Sequence, residues 1–221
     1  MRAHSISPNS NNVTRSFFEW HIHIGLDLDE TLASTMPGFL NIAHDQGKLL
    51  NIATIEDIHC YDISLIDPTM SKEDGQNLWS LYGKSTMDPF RVPIVAWARA
   101  WVDNLRCLGK KISIITARSD QEIWKKERTY SWIRAYFEDI GEDEVYFVNH
   151  FSDESRPKSH TCKTYGVTLM IEDSMENAYD LVENGIHCIL LEKPWNRDRA
   201  FEHPFLTRVK DWGEIRELME R

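Results

Sequence analysis

Short apolar runs alternate with helical patterns along most of the chain, and this alternation constrains the fold more than any other feature. The predicted strands lie at 21–29, 112–115, 145–148, 168–171 and 187–191. Apolar residues recur at helical spacing over 94–108, 120–137 and 174–184. Strands joined by helices pair in parallel, and the helices cover both faces of the sheet. The pattern therefore predicts an α/β protein with a parallel sheet.

One segment interrupts the alternation. Residues 33–90 contain no convincing strand, and their apolar patches are typical of short helices. We predict a small helical cap at 33–90, inserted after the first strand of a core formed by 19–32 and 91–221. Residues 1–18 are rich in Ser and Asn and are predicted to form a disordered tail.

Charge and composition exclude several classes of function. The 221-residue chain has a formal charge of −10, which argues against binding to polynucleotides or to anionic membrane surfaces. No apolar run approaches the ~20 residues of a membrane span, and none of the four cysteines forms a C-x-x-C pair. We expect a cytoplasmic protein, with an organelle address in the N-terminal tail as the alternative. A homodimer is left open.

Polar side chains follow three of the predicted strands. They form the motifs Asp27-x-Asp29-x-Thr31, Thr116-x-Arg118 and Glu172-Asp173. In an open α/β sheet, ligands bind at the carboxyl ends of the strands, so these motifs are expected to meet at one edge. A lone D-x-D is a weak signal, whereas three converging strand ends predict an active site.

Together these motifs resemble those of the haloacid-dehalogenase-like hydrolase superfamily over roughly residues 20–220. The resemblance implies a Rossmann-like parallel sheet with a helical cap inserted after the first strand. It is closer to the 5′(3′)-deoxyribonucleotidase-like branch, because of 171–178 (IEDSMENA) and 190–197 (LLEKPWNR).

The resemblance implies a magnesium site and two catalytic acids. Mg²⁺ would be held by the carboxylates of Asp27 and Asp173 and by the backbone carbonyl of Asp29, with Glu172 helping to hold its waters. Asp27 would attack phosphorus and form an aspartyl-phosphate. Asp29 would protonate the leaving oxygen and later activate water, provided that its pKa is raised.

The same resemblance assigns phosphate-binding groups. Thr116 would offer a hydroxyl to the transferring phosphoryl group, and a lysine ahead of Glu172 would offer a cation. Lys158, at a predicted helix start, is favoured for this role, and Lys163 is the alternative. For Arg118, a surface ion pair and a substrate contact are both open.

These inferences predict a Mg²⁺-dependent phosphomonoesterase acting on a nucleoside monophosphate or another small phosphate ester. A cap that closes over the site favours a small substrate. The alternatives are a protein phosphatase of the polymerase-tail type and a non-catalytic module that binds a phosphate ligand. Four cap aromatics could stack on a nucleobase or form a small core: Phe39, Trp79, Tyr82 and Phe90.

Overall fold

The computed structural model describes residues 21–60, 66–67, 70–150 and 154–220. The tail predicted at 1–18 lies outside the described residues. Six parallel strands form one sheet in the order β3-β2-β1-β4-β5-β6. The strands are β1 (His23–Leu26), β2 (Lys111–Thr116), β3 (Val145–Phe147), β4 (Leu169–Glu172), β5 (His187–Leu191) and β6 (Leu206–Val209). The predicted parallel α/β architecture is confirmed.

Seven described α-helices connect and cover the strands. They are α1 (Met36–Asp45), α2 (Lys72–Ser85), α3 (Ala98–Cys107), α4 (Ile123–Tyr136), α5 (Lys158–Tyr165), α6 (Met175–Glu183) and α7 (Trp212–Glu220). The helix predicted from residue 94 begins only at Ala98, because Trp97 has a left-handed backbone with φ of 68°. None of the described helices has the length and apolarity needed to cross a bilayer.

The strand order reverses direction between β1 and β4. On either side of this point, Leu26 of β1 pairs with Ile114 of β2 and with Ile171 of β4. The backbone N–H of Asp27 extends the pairing by donating to the carbonyl of Ile171 at 2.9 Å. Open α/β sheets bind ligands in the crevice at such a reversal. The residues just after β1, β2 and β4 are therefore the candidates for a ligand-binding site.

The C-terminal elements β6 and α7 were not predicted from the sequence. Trp212, the first residue of α7, is fully buried, and its indole N–H donates to the carbonyl of Thr31 at 2.9 Å. This bond ties the C-terminal helix to the loop that follows β1. The unpredicted elements therefore support the D-x-D-x-T segment directly.

The segment predicted as a cap contains α1 and α2, which pack against each other. The chain leaves and returns at one place, because Ser34 donates to the carbonyl of Pro93 at 2.8 Å and Val95 donates to that of Leu32 at 2.7 Å. The division of the chain into tail, core and cap stays a prediction.

Candidate active site

Three acidic side chains meet at the ends of β1 and β4. Asp27, Glu172 and Asp173 are buried, and each offers a carboxylate oxygen within 4.8 Å of the others. Asp27 and Asp173 directly follow neighbouring strands, and Glu172 ends β4, so the strand pairing itself creates the cluster. The cluster combines two of the acids that the sequence analysis assigned to a metal with a third, Glu172, that it assigned to the metal's waters.

Lys158 inserts its ammonium group among these acids. It is the first residue of α5, only 2% exposed, and its Nζ donates to Asp27 Oδ1 and, at 2.7 Å, to Glu172 Oε2. Lys163 lies further along the same helix, is exposed, and donates to Asn184 Oδ1 at 2.7 Å. The structure therefore brings Lys158 to the carboxylates and leaves Lys163 at the surface.

The cluster is short of positive charge. Burial, followed by the charges of Glu172 and Asp29, raises the pKa of Asp27 to about 7, even though Lys158 acts in the opposite direction. Burial and the charges of Asp27 and Glu172 also raise the pKa of Asp173 well above its ordinary value. Hard carboxylate oxygens crowded in this way suit a divalent cation such as Mg²⁺, whose charge would offset their repulsion.

Asp29 lies outside that cluster and pairs with Arg118. The guanidinium binds its carboxylate through two hydrogen bonds, from Nη2 to Oδ1 at 2.6 Å and from Nε to Oδ2 at 2.9 Å. Burial alone would raise the pKa of Asp29, but the charge and hydrogen bonds of Arg118 outweigh burial and lower it. The raised pKa considered in the sequence analysis is therefore not found in this conformation.

Thr116 ends β2 on the other side of β1 and is fully buried. Its hydroxyl oxygen accepts the backbone N–H of Arg118 at 3.2 Å, and a hydroxyl that accepts one bond can still donate its own proton. The three motifs predicted from the sequence thus lie at the same edge of the sheet.

Two neighbours fix the position of Asp173. The indole N–H of Trp195 donates to Asp173 Oδ2 at 3.1 Å, and Asn196 Nδ2 donates to the Asp173 carbonyl at 2.7 Å. Both neighbours are buried in the segment after β5. The segment after β5 therefore holds Asp173 in place through a side-chain and a backbone contact.

The cap aromatics pack mainly on one another. Phe39 and Tyr82 are buried, and Trp79 lies 4.1 Å from Phe39 between ring centroids and 5.8 Å from Tyr82. Phe90 is 71% exposed and contacts Tyr136 edge-on. This packing favours the core interpretation over base stacking for Phe39 and Tyr82.

Two charged residues near the site were missed by the sequence analysis. Glu30 adopts a left-handed backbone with φ of 59°, and its carboxylate accepts the backbone N–H groups of Thr35 and Met36 at 2.6 Å each. Arg128, on α4, donates from Nε to Thr86 Oγ1 at 2.9 Å. Glu30 could have been noticed as an acid ahead of a helix start, whereas no pattern identified Arg128.

Solved structures of other proteins share this architecture. A putative phosphoglycolate phosphatase from Lactobacillus plantarum matches with a TM-score of 0.63 and 14% identity over 90% of this chain and 99% of its own. CbbY from Rhodobacter sphaeroides, in complex with phosphate, matches with a TM-score of 0.60 and 14% identity over 91% of this chain and 100% of its own.

A family IA HAD hydrolase from Entamoeba histolytica matches with a TM-score of 0.57 and 18% identity over 90% of this chain and 97% of its own. The chain has the fold of haloacid-dehalogenase-like hydrolases. A scan against protein-family models finds no match, and neither does a search of curated proteins. Identities this low establish the fold alone, so the nucleotidase-like branch stays a prediction.

Proposed function

We propose that the protein is a Mg²⁺-dependent phosphomonoesterase that acts through an aspartyl-phosphate on Asp27. Its substrate would be a nucleoside monophosphate or another small phosphate ester. The observation that carries this proposal is the meeting of Asp27, Asp173, Lys158 and Thr116 where the strand order reverses. A nucleophile, hard metal ligands and phosphate-binding groups are what phosphoryl transfer requires.

The metal would be held by the carboxylates of Asp27 and Asp173 together with the backbone carbonyl of Asp29. When bound, it would supply positive charge that lets an anionic nucleophile approach an anionic phosphate. The raised pKa values of Asp27 and Asp173 support this assignment, because Lys158 alone does not offset the charge of the crowded carboxylates.

The chain's own residues account for the remaining chemistry. Asp27 forms a bond to phosphorus as the bond to the leaving oxygen breaks, and Asp29 gives that oxygen a proton. Asp29 then takes a proton from the water that attacks the acyl phosphate. Lys158 and Thr116 bind phosphoryl oxygens. The anionic substrate favours the protonated form of Asp29, which offsets the effect of Arg118.

Two similar structures support a small phosphate ester as substrate. The Lactobacillus plantarum protein is a putative phosphoglycolate phosphatase, and CbbY was solved in complex with phosphate. The helical segment next to the site also favours a small substrate, because it would restrict access by a bulky phosphoprotein.

The test is hydrolysis of nucleoside monophosphates, sugar phosphates and phosphopeptides, with Mg²⁺ or with chelator. We expect release of phosphate from small esters only with Mg²⁺, and none from Asp27→Asn. Asp139→Asn, a change at an exposed acid, is the matched control. Robust turnover by Asp27→Asn would overturn the mechanism. Preference for phosphopeptides would favour a protein phosphatase, and binding without turnover would favour a non-catalytic module.

A further inference from the structure

Two arginines, Arg118 and Arg128, act on Asp29, and the charge of each lowers the pKa of its carboxyl group. Arg118 Nη1 donates to Thr129 Oγ1 of α4 at 3.3 Å, and Arg128 precedes Thr129 in that helix. Arg128 reaches the cap, since its Nε donates to Thr86 and its Cζ lies 5.1 Å from the ring centroid of Tyr82. The pair therefore spans the boundary between core and cap beside the crevice.

Arg128 lacks an anionic partner within the part of the chain that the structure describes. No described carboxylate lies within 4.0 Å of its guanidinium, and its Nη2 is buried without a hydrogen-bond partner among the described residues. The one nearby carboxylate, Asp29, is already engaged by two nitrogens of Arg118. A buried donor left unpaired costs free energy, and a buried charge left unpaired costs more.

The electrostatics agree with this geometry. Burial and the charge of Arg118 lower the pKa of Arg128 to about 10. Two cations share one nearby carboxylate here, so the surroundings of Asp29 carry excess positive charge. The Asp27–Glu172–Asp173 cluster has the opposite imbalance, which a divalent cation would correct.

We propose that Arg128, together with Arg118, binds a second anionic group of the substrate. This inference rests on the proposed function and narrows its substrate class. A small phosphate ester that also bears a carboxylate or a second phosphate would place one anion at Asp27 and the other at the guanidinium pair. A nucleoside monophosphate has a neutral base at its remote end and leaves Arg128 unpaired. The planar fork of a guanidinium suits carboxylate and phosphate alike.

The test compares esters that differ in this second charge. Glycerol phosphate and phosphoglycerate differ by one carboxylate, and fructose phosphate and fructose bisphosphate differ by one phosphate. We expect the wild type to have the higher kcat/KM for the doubly anionic member of at least one pair. The pair that shows this preference identifies the second anion, and AMP should be a poor substrate.

Arg128→Met should reduce that preference by about 10- to 100-fold, the loss expected for hydrogen bonds to a charged group. Arg128→Lys, which keeps the charge but not the fork, should lose less. The matched control is Arg134→Met, on the exposed side of α4, which should keep the wild-type ratio. A ratio unchanged in a folded Arg128→Met or Arg128→Lys protein overturns the inference and leaves the proposed function standing.

A binding measurement separates the two proposals. Asp27→Asn is titrated with phosphoglycerate and with fructose bisphosphate in the presence of Mg²⁺, with and without Arg128→Lys. Weaker binding of either ligand in the double variant supports the anion subsite, even if no ester is hydrolysed and the proposed function fails. Equal binding of both ligands by the two proteins overturns the subsite.

Discussion

Arg118, after β2, binds the carboxylate of Asp29, after β1, through two parallel hydrogen bonds. The ion pair is largely buried. It fixes the direction of the Asp29 side chain, which is not part of the Asp27–Glu172–Asp173 cluster. The two acids of the D-x-D motif thus have separate partners, Lys158 for Asp27 and Arg118 for Asp29.

This pairing predicts how activity depends on Arg118. Arg118→Lys keeps a cation but loses the planar fork, so kcat should fall about tenfold, and Arg118→Met should cost about 100-fold or more. Steady-state kinetics on a small phosphate ester, with melting temperatures as a check on folding, measure both. Wild-type kcat in both variants, which keep an aliphatic stem but not the fork, would mean that packing, and not the fork, positions Asp29.

The two lysines of α5 predict contrasting stabilities. Lys158→Met leaves Asp27 and Glu172 buried without their cation, which should cost about 3–5 kcal/mol in the free energy of unfolding. Lys163→Met changes an exposed residue and should stay within about 0.5 kcal/mol of wild type. Urea unfolding with chelator measures both. A Lys163 variant that is the less stable of the two would contradict the placement of Lys158 in the site.

Removal of one crowded acid should stabilise the metal-free protein. Asp173→Asn relieves its repulsion with Asp27 and Glu172, so the free energy of unfolding in chelator should rise on the order of 1 kcal/mol. Mg²⁺ should then stabilise this variant far less than wild type, which gains about 2.7 kcal/mol at 100 times the dissociation constant. Asp139→Asn is the control. Equal stabilisation by Mg²⁺ in all three proteins would remove Asp173 from the metal site.

The sequence sufficed for the interior of the sheet and for the strand-end motifs. Buried parallel strands are continuous apolar runs, so β1, β2, β4 and β5 stand out, and polar residues at their ends mark the crevice. Strand β6 was not predicted, because it lies at the sheet edge and is mostly half-buried, so Leu206–Val209 shows no continuous apolar run.

Side-chain partners could not be predicted in the same way. The contact of Arg118 with Asp29 joins distant parts of the chain, and its energy depends on the direction of the carboxylate after folding. Arg128 belongs to a helix whose apolar period indicates only which face is buried. Whether a polar residue beside that buried face finds a hydrogen-bond partner depends on the side chains around α2. The apolar period of α4 carries no information about them.

Trp195 predicts an effect on metal affinity without direct contact with a metal. Its indole N–H orients Asp173 Oδ2, and loss of such a bond to a ligand typically weakens metal binding about 10- to 100-fold. Trp195→Phe should therefore raise the dissociation constant for Mg²⁺ by this factor, as measured by calorimetry. Trp97→Phe, at a residue that is 70% exposed, is the control and should bind Mg²⁺ as wild type does.

The lowered pKa of His21 predicts that the protein loses stability in acid. It lies just before β1, where burial, and then the charges of His187 and Lys110, lower its pKa to about 4. As the pH falls, the unfolded chain, in which histidine titrates near 6.5, takes up the proton before the folded chain does. The contribution of neutral His21 to stability is therefore complete above about pH 6.5 and is lost as the pH falls toward 4.

His21→Gln removes this titration and tests the prediction. The buried carboxylates titrate with the opposite sign, so the quantity to compare is the difference in free energy of unfolding between variant and wild type. Urea unfolding should show that the variant becomes more stable relative to wild type as the pH falls from about 8 to about 5. His160→Gln, at an exposed position on α5, is the matched control. A constant difference for His21→Gln would show that His21 is protonated equally in the folded and unfolded chains.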